Sequence, residues 1–251
     1  MAERGHPIPT KLRQDAIVEV LFEVRFNLPP NLLPEIFFGR LADHQPWKNF
    51  TQRRLPTAQI PAQLLQVDPN LRYQPTFELI AGNDLAVRIG AQVLSYHRRS
   101  PYAGWVRFKS ELEAAIDGLF EKAPGLEIQR LGLRYMNALR SDVHGLNSIS
   151  GLDLALSVAG DQVAGNVNVN FTTEVAQNTD CTVRIATPEF VQGDLPPSTS
   201  AYVDVDVFTK EAFRTRDRTV VRDWIELAHT KEKEQFFRLL RSEMIESLKE
   251  K

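Results

Sequence analysis

From Ile17 to Phe26 the chain alternates apolar and charged side chains almost without interruption. Val18, Val20, Phe22, Val24 and Phe26 fall on one side, and Glu19, Glu23 and Arg25 on the other. A period of two is the signature of a half-buried strand and is incompatible with a helix. Pro29 and Pro30 end the run. The same period recurs in Tyr73–Ile80, Leu85–Ile89, Gln92–His97, Ile128–Leu139, Leu152–Val158, Val167–Phe171, Cys181–Ile185 and Val203–Val207. Gly82-Asn83-Asp84, Gly160-Asp161, Gln177-Asn178 and Pro196-Pro197 supply turns between them. Strands joined by turns this short must be antiparallel, because a parallel crossover needs a dozen or more residues.

Helical spacing is confined to three places. Asn31 caps a short segment through Asp43, with Pro34 tolerated in its first turn. Trp105, Phe108, Leu112, Ala115, Ile116 and Leu119 form an apolar stripe that Pro124-Gly125 terminates. The third stretch, Thr219 to Glu250, carries Trp224, Ile225, Ala228, Phe236, Leu239, Leu240 and Leu248, with a kink or split expected near Lys231-Glu232-Lys233-Glu234. Residues 44–70 hold four prolines and are expected to be mostly connection, and residues 1–15 an extended lead-in arm. The pattern predicts an α+β fold: a meander-rich antiparallel sheet with helices on one face and a long C-terminal helix. It divides into an N-terminal α+β lobe, 1–125, and a C-terminal sheet lobe, 126–251, or runs as one continuous domain.

A formal net charge of −2 gives no global basic field, so nucleic acid is not indicated as a partner. No apolar run has the length of a signal peptide or a membrane span, which predicts a cytoplasmic chain with no membrane partner. The single cysteine, Cys181, sits on the apolar side of its strand, as a buried structural thiol does. His6, His44, His97, His144 and His229 are scattered, and no phosphate loop, dinucleotide fingerprint or nucleophile elbow is present. No cofactor and no metal are predicted.

Candidate sites therefore rest on local chemistry. Arg98 and Arg99 beside Tyr102 and Trp105, at a strand-to-helix junction, suit an anionic ligand or a stacked base, or else the aromatics anchor the helix. Asp204 and Asp206 share one side of a strand and would either hold a divalent ion or pair with neighbouring arginines such as Arg134. His229 on the last helix is either a hydrogen-bonded interface histidine or a base.

Ala16–Phe26, Tyr102–Trp105, Leu131–Asn137, Val203–Phe208 and the closing Leu227-Ala228-His229 with Phe236-Phe237 together resemble, in order, a sporadically distributed bacterial family of proteins of this length with no assigned function. Its patchy occurrence is that of accessory or defence-associated genes. The resemblance implies no activity; its polar matching residues are Arg134, Tyr135, Asn137, Asp204, Asp206 and His229. Two function classes stand open. One is a non-enzymatic binding or interaction module, with a protein or anionic ligand as partner and homo-oligomerisation open. The other is a metal-dependent enzyme acting on a nucleotide or other phosphate-bearing substrate.

Overall fold

The computed structural model describes residues 8–9, 12–69, 71–163 and 165–248. Part of the expected lead-in arm and the end of the expected C-terminal helix lie outside them. The fold is α+β. Its strands are β1 (Ile17–Asn27), β2 (Thr51–Arg54), β3 (Phe77–Ala81), β4 (Leu85–Ile89), β5 (Val93–Arg99), β6 (Glu127–Arg140), β7 (Ser157–Val158), β8 (Asp161–Gln162), β9 (Asn168–Ala176), β10 (Thr179–Ala186) and β11 (Thr199–Thr209). Its helices are α1 (Pro34–Ala42), α2 (Ala62–Val67), α3 (Trp105–Lys122), α4 (Ser141–His144), α5 (Arg218–Arg238) and α6 (Ser242–Leu248). Among the described residues no helix is long and apolar enough to cross a membrane.

One antiparallel sheet of nine strands carries the molecule, in the order β2-β3-β4-β5-β1-β6-β11-β10-β9, while β7 and β8 pair only with each other. Apart from β2, α2 and the β7–β8 pair, the two halves of the chain share one plan: a strand, a short helix, a three-strand meander and a long helix. In each half the last meander strand returns beside the first strand, β5 beside β1 and β11 beside β6. The halves meet where β1 pairs with β6, so the sheet is continuous across Pro124-Gly125.

Alternation places the core on one side. Phe22 faces Tyr96 and Leu133, and Leu133 faces Val207, which faces Cys181; all these side chains are buried. Burial pushes the Cys181 thiol up to about 12, as befits an inert structural thiol. Helices α3 and α5 cover this side. They run antiparallel, joined by an ion pair between Lys109 and Glu226 and by Arg222, whose Nη2 donates to both Asp117 oxygens at 2.7 Å.

The structure corrects several expectations. Val18 is half-buried rather than core, because Ile17 faces Asn137 while Glu19 faces Met136, which makes Val18 the extra residue of a β-bulge. The last helix does not break at Lys231–Glu234 but at Leu239–Arg241, where Asp153 N–H donates to the Leu239 carbonyl at 2.8 Å and Leu240 bridges Leu152. Leu152–Val158 is mostly not strand: Leu152 is buried at that break, and only Ser157–Val158 forms a ladder. Strand β2 lies inside the expected connection; its residues are all exposed, so no apolar alternation marks it.

Phe22 sits at the middle of both pairings of β1 and is fully buried. Phe22→Ala is expected to cost about 3–5 kcal/mol in chemical denaturation; a loss below about 1 kcal/mol would contradict this placement.

Candidate functional site

At the bulged end of the β1–β6 pair the helical layer does not close over the sheet. A cavity of about 520 Å³ remains, within the size range of small-molecule sites. Its floor is Ile17 of β1 with Tyr135 and Asn137 of β6, and Leu12, Asp15 and Ala16 of the preceding segment form one side. The turn from β5 to α3 gives Tyr102, Ala103 and Gly104, the start of α3 gives Trp105 and Val106, and α5 gives His229, Glu232, Lys233, Phe236 and Phe237. Gly104 makes the turn at φ +89°, a conformation that L side chains rarely adopt, and this delivers Trp105 to the cavity at the first position of α3.

The aromatic groups and His229 hold one another. His229 stacks on Trp105 with ring centres 3.8 Å apart and planes 12° apart. The hydroxyls of Tyr102 and Tyr135 are 3.2 Å apart, and the Tyr135 hydroxyl is 3.4 Å from His229 Nδ1. With the imidazole neutral, Nδ1 either accepts from Tyr135 or donates to it, and the chain of hydrogen bonds is consistent in both directions. Burial, aided by Lys233, pulls His229 down to about 4, so the ring is neutral at physiological pH. Burial likewise raises both tyrosines, which stay protonated. Asn137 is buried and its amide donates to the carbonyl of Val203 at 3.2 Å.

Glu232 was not singled out by the sequence, where it sits in a charged run that looks like solvated helix surface. In the fold it is 4% exposed. Burial pushes its carboxyl up to about 8, and Lys233 only partly offsets this. Among the described residues nothing hydrogen-bonds the carboxyl. A signal did exist. The buried stripe of α3 is Phe108, Leu112, Ala115, Ile116 and Leu119; Val221, Ile225, Ala228, His229 and Glu232 repeat that spacing in α5. Where the first helix places Ile and Leu against the sheet, the second places His and Glu.

Of the residues chosen from sequence, Tyr102, Trp105, Tyr135, Asn137 and His229 thus meet in one cavity. The others are elsewhere. Arg98 is buried beneath α3, where its Nε donates to Glu111 Oε2 at 2.9 Å and its Nη1 pairs with Asp84, so its donors are committed to tying α3 to β5 and the β3–β4 turn. Arg99 points to the opposite side of the sheet, exposed and 3.9 Å from Glu19. That side also carries Arg134, Asp204 and Asp206. Arg134 chelates Asp204 through Nε and Nη2 at 2.8 and 2.5 Å, taking both carboxylate oxygens. Asp206 lies between Arg130 and Arg134, yet burial dominates and raises it to about 6. Among the described residues no group of three or more His, Cys, Asp or Glu side chains is placed to hold a metal ion. Neither models of known protein families nor curated proteins give a match to this chain.

The sign of the pH dependence follows from these groups. Between the unfolded value of 4.5 and about 8, the native state keeps the Glu232 proton that the unfolded chain has lost, so this contribution falls as pH rises. His229, lowered from 6.5 to about 4, contributes the opposite slope between those values. Above 6.5 only the Glu232 slope remains. Glu232→Leu should therefore stabilise the protein by roughly 2–4 kcal/mol near pH 8, with the gain shrinking toward pH 5. Thermal melts across pH check this; a variant less stable than wild type near pH 8 would contradict the assigned burial. On the other side of the sheet, Arg134→Met strands the buried Asp204 and should cost about 2 kcal/mol, more than the Arg134→Met/Asp204→Asn double variant, in urea denaturation.

Proposed function

We propose that the protein is a binding module whose cavity takes a small organic molecule with an apolar or aromatic body. The observation that carries this is the cavity itself: preformed, about 520 Å³, walled by Tyr102, Trp105, Tyr135, Phe236 and Phe237, with a few polar groups converging on it. That is the usual composition of small-molecule sites, in which apolar walls supply burial and sparse polar groups fix orientation. The mutual packing of Trp105, His229 and the two tyrosines holds the walls in place without a ligand, so little ordering is needed on binding. No serine, threonine or cysteine lines the cavity among the described residues, which favours binding over nucleophilic catalysis. The metal-dependent alternative gains no support, since Arg134 engages both oxygens of Asp204 and neutralises its charge. An anionic ligand at Arg98 is likewise disfavoured, since that side chain is enclosed by Glu111 and Asp84.

A fragment library screened by thermal shift tests this. Aromatic fragments are expected to raise the melting temperature of the wild type and to compete with one another, since a ligand of the native state stabilises it by mass action. Ala103 is exposed at the rim, so Ala103→Trp should plug the cavity and abolish the shifts without lowering the melting temperature of the free protein. Absence of any hit, or hits that persist in the plugged variant, would refute the reading.

A further inference from the structure

The cavity has a feature that burial of an apolar body does not require, the unpartnered carboxyl of Glu232. Three other enclosed acids are matched by guanidinium groups. Glu78 meets Arg53 and Arg88, Glu111 meets Arg98, and Asp204 meets Arg134. Glu232 is as buried as these, lines a cavity, and has no hydrogen bond or ion pair among the described residues. A buried carboxyl without a partner is costly, and at the corresponding step of its stripe α3 carries an apolar residue, Leu119.

We propose that the ligand is an organic cation, whose ammonium head pairs with Glu232 while its apolar body lies against the aromatic walls. This rests on the small-molecule reading above and specifies its ligand class. An ammonium group removed from water needs a counter-charge, and aromatic rings add cation–π attraction. Glu232 offers the first, and Tyr102, Trp105 and Phe236 the second, from three different elements. The remaining charged and titratable groups facing the cavity are Asp15 from the lead-in segment, Tyr102 and Tyr135, and His229 and Lys233 from α5. The tyrosines and His229 are neutral near pH 7, and burial lowers the pKa of Lys233. An anion would face two carboxyl groups and a single lysine, and no arginine lines the cavity among the described residues. A neutral ligand would leave Glu232 holding its own proton. A cation replaces that proton: below about pH 8 the empty cavity holds Glu232 neutral, and binding of the ammonium form releases one proton to solvent.

The charge series tryptamine, tryptophol and indole-3-propionate keeps an indole body while the head changes from cation to alcohol to anion. Calorimetric titration of the wild type and Glu232→Gln, in two buffers of different ionisation enthalpy, reads both affinity and proton release. Tryptamine is expected to bind the wild type at least ~10-fold more tightly than tryptophol, with affinity rising by up to ~10-fold per pH unit below the Glu232 pKa. About one proton should be released per tryptamine bound near pH 7. Glu232→Gln should lose the preference and the proton release while still binding tryptophol. The proposal is overturned if tryptophol or indole-3-propionate binds as tightly as tryptamine, if Glu232→Gln keeps the preference, or if none of the three binds. Failure here with hits in the fragment screen leaves the cavity a small-molecule site of another class; failure of both removes the binding-module reading itself.

Discussion

The pairing of β1 with β6 is the contact on which the rest of the structure depends. Among the described residues it is the only place where the sheet strands of one half of the chain meet those of the other, and it brings Phe22 against Leu133 and Val20 against Tyr135 at the centre of a nine-stranded sheet. The β3–β4–β5 and β9–β10–β11 meanders are local in sequence, whereas β1–β5, β6–β11 and above all β1–β6 join residues far apart in the chain. Long-range pairing carries a large loop-closure cost, so it must be repaid by apolar burial, and the fully buried Val20, Phe22, Val24, Leu131 and Leu133 supply it. The same pair decides where a cavity can exist. The Val18 bulge disturbs the β1 alternation beside Asn137, and the core closes beyond it but not at it. Bulges commonly re-aim side chains near functional sites, and here the bulge and the cavity coincide.

How much of this was legible in the sequence depends on the range of the interaction involved. Alternation in Val20–Phe26, Cys181–Ile185 and Val203–Val207 records which side of a strand is dry, and the turns between them record antiparallel order; both are local and both were readable. The α3 stripe from Phe108 to Leu119 was readable for the same reason. Strand β2 was not, because an exposed edge strand needs no apolar side and is held by backbone bonds to β3 and by Arg53 reaching Glu78. The break after Arg238 was not, because it is set by a carbonyl that the distant Asp153 captures. Arg98 next to Arg99 looked like a basic pair, but consecutive strand residues point to opposite sides, and only one of the two is buried. Glu232 escaped notice because a charged run masks which of its members faces inward.

Charge placement differs sharply between the two sides of the sheet. On the side away from α3 and α5, carboxylates and guanidinium groups interlock: Glu78 with Arg53 and Arg88, Glu23 with Arg25 and Arg130, Asp204 with Arg134. Cross-strand and diagonal pairs of this kind hold register and satisfy groups that the sheet half-encloses. On the helix side the described matches tie the helices down: Arg98 meets Glu111, Arg222 meets Asp117 and Lys109 meets Glu226. Glu232, which lines the cavity on that side, has no such match among the described residues.

The two long helices make that asymmetry informative. They occupy corresponding places in the two halves, and their inward stripes share a spacing, yet one is wholly apolar and the other includes His229 and Glu232. The apolar version shows what packing alone requires at such a position. Placing His and Glu there lowers the pKa of one group and raises that of the other through the same burial; the Glu232 departure is a loss of stability at neutral pH, and the His229 departure a loss below about pH 6.5. The fold tolerates this because marginal stability leaves a few kcal/mol that need not be used in packing. Residues that weaken the folded state while lining a preformed aromatic cavity are better explained by what the cavity receives than by how the helix packs.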